Sequence, residues 1–148
     1  MTGYIATAET DIDAPANRVW EALTDPDEIA KYMFGSRVDT DWRPGSSITW
    51  KGEYEGKPFE DKGEILEVVP DQRLKMTHYS PLSGAEDVPE SYHTLTYVLD
   101  GHDGHTHVSL SQDNNSSADA AEHSRANWEK MLSALKEVVE SDDQPSGP

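Results

Sequence analysis

The sequence predicts an α+β domain in which a curved sheet of seven antiparallel strands surrounds one long C-terminal helix. The first observation is an opening segment that alternates in polarity like a strand and is followed by two short helical segments. The second is a run of six further strand-like segments divided by turn residues. The third is a closing amphipathic segment without glycine or proline. In this β-αα-β6-α order one helix leaves part of the concave face uncovered, and ligand sites favour such clefts.

One strand and two short helices are predicted for residues 3–33. Residues 3–13 alternate between two faces, as a strand does. Pro15 then suits the first turn of a helix, and Asp25-Pro26 ends that helix and opens a second one. The apolar residues of both helices recur at helical spacing: Val19, Trp20 and Leu23 in the first, and Ile29, Tyr32 and Met33 in the second.

Six antiparallel strands and the closing helix account for the remainder of the domain. Turn residues divide the region from Gly35 to Asp113 at short intervals, and an N-cap signal precedes a helix at 118–140. Residues 1–140 are therefore expected to form a single domain, and the polar, acidic segment 141–148 a disordered tail. The dividing turns are 43–45, 55–58, 70–72, 81–90 and 100–104, and the apolar stripe of the helix is Ala121, Trp128, Leu132, Leu135 and Val139.

The charge balance is strongly acidic and argues against several classes of partner. The 148 residues include 29 Asp and Glu against 12 Lys and Arg, a net charge of −17, and no cysteine. Binding to nucleic acid or to anionic membranes is therefore not expected, because both require a basic surface. The N-terminus lacks a signal-like pattern and no segment is apolar enough to span a membrane, so a cytoplasmic protein is expected. Acidic residues placed outside the concave face, with few lysines, predict adaptation to high salt.

Several segments, spread over about residues 3–140, carry a family resemblance. They include Ile12-Asp13-Ala14-Pro15, Asp41-Trp42-Arg43-Pro44-Gly45, Tyr54-Glu55-Gly56-Lys57-Pro58, and the segments 19–26, 63–70, 80–84, 92–97 and 112–115. On these segments the chain resembles the START/SRPBCC superfamily of helix-grip proteins, which includes the birch-pollen-allergen type. Within it, the chain is similar to the subfamily of the C-terminal domain of the activator of the Hsp90 ATPase. The resemblance implies a helix-grip fold, but family members range from lipid carriers to cyclases, hydrolases and co-chaperone domains, and no catalytic motif carries over.

The turns also predict which residues line the cavity, because a hairpin turn fixes the pairing of its two strands. Symmetric turns centred between His102 and Asp103 and on Asp71, with the loop between them, predict one polar row across an apolar face. The polar row consists of Glu64, His78, His93 and Gln112, but a bulge at Gly63 would turn Glu64 outward. The apolar residues that share this face, or meet it from the helix, are Leu66, Met76, Leu95, Tyr97, Trp128 and Leu132, with Trp50 and Tyr54 bordering it on the next strand. The predicted pairs include His78 with His93, Leu95 with Leu110, and Leu66 with Met76.

The polar row is compatible with more than one function. Two histidines and a carboxylate can bind a metal or act as acid and base, whereas polar residues on a sheet are also commonly solvated, bonded to the helix, or used to orient a ligand. The favoured function is binding of a small apolar or amphipathic molecule, with no catalytic residue, metal or cofactor expected. A different function compatible with the fold is that of an interaction module acting on a chaperone or another protein. A third is that of a cyclase- or hydrolase-like enzyme using Glu64, His78 and His93. A metal site at His102, His105 and His107 is only weakly indicated by the spacing of these residues.

Overall fold

The computed structural model describes residues 4–33, 35–54, 56–80 and 86–142. Within these residues seven strands join in one sheet of order β1-β7-β6-β5-β4-β3-β2, and all neighbouring strands are antiparallel. The predicted helix-grip fold is therefore confirmed, and none of the described helices combines the length and hydropathy that a membrane span requires. The elements are β1 (Tyr4–Ile12), α1 (Ala16–Thr24), α2 (Pro26–Tyr32), β2 (Arg37–Thr40), β3 (Ser47–Tyr54), β4 (Lys57–Val69), β5 (Arg73–His78), β6 (His93–His102), β7 (His105–Asn115) and α3 (Ala118–Asp142).

Helices α1 and α2 meet at a corner that side-chain contacts stabilise. The carboxylate of Asp25 caps the N-terminus of α2. Arg18 on α1 forms a bidentate ion pair with Glu28 on α2, with N–O distances of 2.6 and 3.1 Å. The hydroxyl of Tyr32 donates a hydrogen bond of 2.9 Å to the carbonyl of Ala22. These contacts hold α2 in a fixed position beside the sheet and α3.

The β6–β7 hairpin closes through Asp103 and Gly104, whose φ angles are 50° and 82°. Positive φ at both central residues is the type I′ geometry that Asp-Gly favours. The predicted pairing of this hairpin is wrong by two residues, since Leu95 lies opposite Gln112 rather than Leu110. A shift of two residues keeps each side chain on its own face, so the predicted inner face of these strands still holds.

Strand β4 contains a bulge of one residue at Leu66. Ile65 lies opposite Met76 and Glu67 lies opposite Lys75, which leaves Leu66 between them without a partner. The predicted pair of Leu66 with Met76 is therefore wrong. A shift of one residue exchanges the two faces, so Ile65 is fully buried whereas Leu66 is 40% exposed.

Helix α3 packs along β1 and completes the core. The carboxylate of Glu140 accepts a hydrogen bond of 2.9 Å from the backbone N–H of Asp13, which ties the end of the helix to the residue after β1. The helix continues to Asp142, two residues beyond its predicted end, and the rest of the expected tail, 143–148, lies outside the described residues. The fully buried residues of the helix stripe are Leu132, Leu135 and Val139.

Candidate functional site

A cavity of about 310 Å³ lies between the inner face of the sheet, α2 and α3. Its lining is mainly aromatic and aliphatic, as in sites for small organic molecules. Asn127 is exposed and also lines the cavity, so the cavity meets solvent beside the first half of α3. The aromatic residues of the lining are Tyr32, Trp42, Trp50, Phe59, Tyr97 and Trp128, and its methionines are Met33, Met76 and Met131.

The structure places a large part of the predicted set around this cavity. The β5–β6 pairing is confirmed, with His78 opposite His93 and Met76 opposite Leu95. Tyr97 is opposite Leu74 on the same face, as predicted. The predicted residues that line the cavity are Trp50, Met76, His78, Leu95, Tyr97, Gln112 and Trp128.

The rest of the predicted residues do not line the cavity. The bulge turns Glu64 outward, where its backbone N–H donates to the Thr77 hydroxyl, and leaves Leu66 on the outer side of the sheet. His93 is half-buried, and its Nδ1 donates to the carbonyl of Asp113 at 2.8 Å. The predicted row of Glu64, His78, His93 and Gln112 is therefore not assembled, and neither is the acid–base set of Glu64, His78 and His93. Two further residues contribute no described contact with the cavity: Leu132 lies in the core, and the side chain of Tyr54 is outside the described part of the structure.

Asp61 takes the place that was predicted for Glu64. It lies on β4 opposite Trp50, lines the cavity, and its Oδ2 is 2.9 Å from Nε2 of His78 on β5. The ring of His78 also meets the ring of Trp50 edge to face, with centroids 5.0 Å apart. Asp61 is not among the residues predicted from the sequence, although the turn after Tyr54, which pairs Tyr54 with Lys57, also places Asp61 opposite Trp50.

The Asp61–His78 pair leaves two polar atoms without a hydrogen bond. Oδ1 of Asp61 and Nδ1 of His78 are both buried and have no partner among the described residues. A buried polar group without a partner costs about 1–3 kcal/mol, so this pair is unusual for a folded interior. Both atoms belong to side chains that line the cavity.

A second polar group of the cavity is fully bonded and fixed in orientation. The indole N–H of Trp128 donates to Oε1 of Gln112 at 2.6 Å. The amide nitrogen of Gln112 donates to Asn115 at 3.0 Å and to Ser124 at 3.3 Å. This network joins β7 to α3 and sets the angle at which Trp128 faces the cavity.

Two buried phenols keep the remainder of the lining uncharged. Burial raises the pKa of Tyr97 above its ordinary value. Burial, helped by the neighbouring Tyr97 and Glu28, raises the pKa of Tyr32 as well. Apart from Asp61 and His78, the described residues of the lining are therefore neutral at physiological pH.

The described residues contain no group of three or more His, Asp or Glu placed to hold a metal ion. The three histidines of the β6–β7 hairpin each meet acidic partners instead: His102 meets Asp100, and His105 meets Asp13. His107 donates from one ring nitrogen to Asp11 and from the other to Glu9, and these two hydrogen bonds raise its pKa.

A family model described as "Activator of Hsp90 ATPase homolog 1-like protein" matches residues 13–140. The chain belongs to this family. The matched segment of the Activator of Hsp90 ATPase homolog 1-like family includes every residue that lines the cavity.

Solved structures related to this family member have the same fold. The solution structure of ChR145 from Cytophaga hutchinsonii is 43% identical, covers 98% of this chain and 99% of that chain, and has a TM-score of 0.84. The Aha1 dimer from Colwellia psychrerythraea is 20% identical over 95% of this chain and 98% of that chain, with a TM-score of 0.73. CalU16 from Micromonospora echinospora is 20% identical over 94% of this chain and 85% of that chain, with a TM-score of 0.70. Among curated proteins, none matches the chain at a significant level.

Proposed function

We propose that this protein binds a small apolar or amphipathic molecule in the cavity between the sheet and α3. The observation that carries the proposal is the cavity itself, about 310 Å³ in volume and lined mainly by aromatic and aliphatic side chains. An apolar cavity of roughly 150 Å³ accommodates benzene, so this one has room for about two rings or an alkyl chain of similar volume. The polar groups of Asp61 and His78 on one wall suit a ligand with a single polar end.

Binding of naphthalene, measured by equilibrium dialysis, tests this function directly. Met131 is buried on α3 and lines the cavity, so Met131→Trp fills space that the ligand needs. We expect this variant to bind naphthalene at least about tenfold more weakly, because the lost contacts and excluded volume exceed about 1.4 kcal/mol.

Leu135→Phe is the matched control for this experiment. Leu135 is fully buried on the same helix but does not line the cavity, so its enlargement stresses the core without filling the site. Native mass spectrometry of protein purified without detergent adds a second readout, since a resident ligand gives an extra mass. A folded wild-type protein that neither binds naphthalene nor carries a ligand contradicts the proposal.

A second candidate is an interaction with a chaperone. It is supported by the family, whose description names an activator of the Hsp90 ATPase. If the chain acts in this way, adding it to an Hsp90-type chaperone raises the rate of ATP hydrolysis. Met131→Trp separates the two candidates, because a surface interaction is retained when the cavity is filled. An unchanged rate of hydrolysis contradicts this second candidate.

A further inference from the structure

We propose that Asp61 and His78 make the cavity selective for ligands that carry a hydroxyl group, and that the same pair disfavours ligands that carry a carboxylate. This inference rests on the proposed function, because it assigns a ligand chemistry to the same cavity. It depends on three observations: the bonding of the pair, the two unpartnered atoms, and the charges of the remaining lining residues.

The hydrogen bond between the two side chains determines which of their polar atoms are left for a ligand. A carboxylate only accepts hydrogen bonds, so Nε2 of His78 carries the proton that is shared with Oδ2 of Asp61. Oδ1 of Asp61 and Nδ1 of His78 are left over, buried and without a partner in the described structure. Both side chains line the cavity, with exposed fractions of 15% and 19%. Neither atom is itself accessible, so a bound ligand reaches one of them only after rotation about the last side-chain torsion, which is broad for Asp and for His.

A hydroxyl group can donate a hydrogen bond to either of the two leftover atoms. When the ring is neutral, Nδ1 of His78 and Oδ1 of Asp61 both accept, and the hydroxyl donates to one of them. Hydrogen bonds to charged groups are stronger than neutral ones, at about 1.5–3 kcal/mol, and a hydroxyl that satisfies a buried carboxylate gains accordingly.

The negative charge of Asp61 disfavours a ligand that carries a carboxylate. Asp61 already places a negative charge on the cavity wall, and no Lys or Arg occurs among the described residues of the lining. Two carboxylates that share an apolar site repel each other strongly, because the low dielectric screens them little. A carboxylate-bearing relative of a good ligand is therefore bound poorly.

Three probes of similar size test the selectivity: naphthalene, 2-naphthol and 2-naphthoate, each measured by equilibrium dialysis at neutral pH. We expect 2-naphthol to bind about tenfold more tightly than naphthalene, which corresponds to one charge-assisted hydrogen bond. We expect 2-naphthoate to bind more weakly than naphthalene. Equal affinity for naphthalene and 2-naphthol, or tighter binding of 2-naphthoate, overturns this inference and leaves the proposed function standing. If no probe binds, this inference fails, and the proposed function fails with it unless the purified protein carries a ligand.

The variant Asp61→Asn tests whether the Asp61 carboxylate causes this selectivity. The amide oxygen can still accept from His78 while the negative charge is lost, so we expect 2-naphthoate to bind about tenfold more tightly than in the wild-type protein and the preference for 2-naphthol to fall. Glu60→Gln is the matched control, because Glu60 precedes Asp61 on β4, is exposed, and carries the same charge change on the outer face. Naphthalene binding by each variant shows that the cavity is intact. A selectivity that changes equally in both variants overturns the assignment to Asp61.

Discussion

Nε2 of His78 lies 2.9 Å from Oδ2 of Asp61, so that a hydrogen bond joins β5 to β4 on the inner face of the sheet. Trp50 packs against the imidazole ring from β3 and lies opposite Asp61, which makes the three side chains one contact group. The pair is partly buried, and each of the two side chains depends on the other for its one hydrogen bond within the described residues.

Removing one member of this pair costs more stability than removing both. We expect His78→Phe to lower the free energy of unfolding by about 1–3 kcal/mol, because it leaves the Asp61 carboxylate buried without a donor. The double variant Asp61→Leu with His78→Phe should recover at least half of that loss, since no polar group is then left unpaired. Urea denaturation of both single variants and the double variant measures the coupling, and additive single effects contradict the prediction.

The Arg18–Glu28 ion pair is expected to stabilise the α1–α2 corner. Its side chains are only 16% and 10% exposed, and its geometry is bidentate. Glu28→Gln should lower the free energy of unfolding by about 1.5–3 kcal/mol. Glu21→Gln is the control, because Glu21 also contacts Arg18 but is 64% exposed, and it should change stability by less than about 0.5 kcal/mol. Equal effects of the two substitutions in urea denaturation would show that burial is not the cause.

Gly63 is expected to tolerate no side chain. A Cβ atom at this position would lie 1.8 Å from the carbonyl oxygen of Thr77, which belongs to the backbone of β5. Gly63→Ala should therefore separate β4 from β5 and lower the free energy of unfolding by more than about 2 kcal/mol. Gly52→Ala is the comparison, because its Cβ would meet the movable ring of Phe59 at 3.0 Å. Thermal unfolding of both variants ranks them, and a milder effect at Gly63 than at Gly52 refutes the prediction.

Glu140 is expected to contribute stability that is lost in acid. Hydrogen bonds from Lys136 and from the backbone of Asp13 lower the pKa of its carboxyl below the ordinary value. A carboxyl with a lowered folded-state pKa stabilises the fold above its unfolded-state pKa, and this stabilisation disappears as the pH falls through the folded-state pKa. Glu140→Gln should cost about 1 kcal/mol at neutral pH and nothing in strong acid.

The exposed Glu137, on the same helix, provides the control for Glu140. Glu137→Gln should have little effect at any pH, because surface charges far from a partner contribute little. Urea denaturation of both variants across the acid range measures the difference. A cost of Glu140→Gln that stays constant with pH contradicts the prediction.

The acidic surface is expected to make stability depend on salt. With a net charge of −17, screening of like-charge repulsion should stabilise the fold between low and molar KCl. The melting temperature should rise by about 3 °C for each kcal/mol gained. Replacing the exposed Glu53, Glu60 and Glu64 of β3 and β4 by Gln should reduce this dependence. A melting temperature that stays level or falls as KCl is added refutes the prediction.

The order of elements could be predicted from the sequence because hydrophobic period and turn residues report on each segment locally. The inner face of β6 and β7 was also predictable, although Leu95 pairs with Gln112 and not with Leu110. Apolar matching cannot distinguish registers that differ by two residues, since both keep the same side chains inside. The type I′ preference of Asp103-Gly104 was the signal that discriminates between them.

The polar wall of the cavity could not be predicted in the same way. A bulge at Leu66 inserts a residue that no local pattern marks, and from there towards the N-terminus of β4 the predicted face is inverted. Glu64 was therefore predicted inside and Asp61 was overlooked. Only the turn between β3 and β4 indicates which residues of this part of β4 face inward. It places Asp61 opposite Trp50, and this pairing does not depend on the bulge.

The bulge at Leu66 allows the length of β4 to differ by one residue without disturbing the cavity. Ile65 and Glu67 lie opposite the adjacent residues Met76 and Lys75, so a family member that lacks the residue between them would form a regular ladder and keep Trp50 and Asp61 on the inner face. Alignments of this family should therefore place a one-residue gap at position 66, so that Asp61 is compared with the inward-facing residue of each relative.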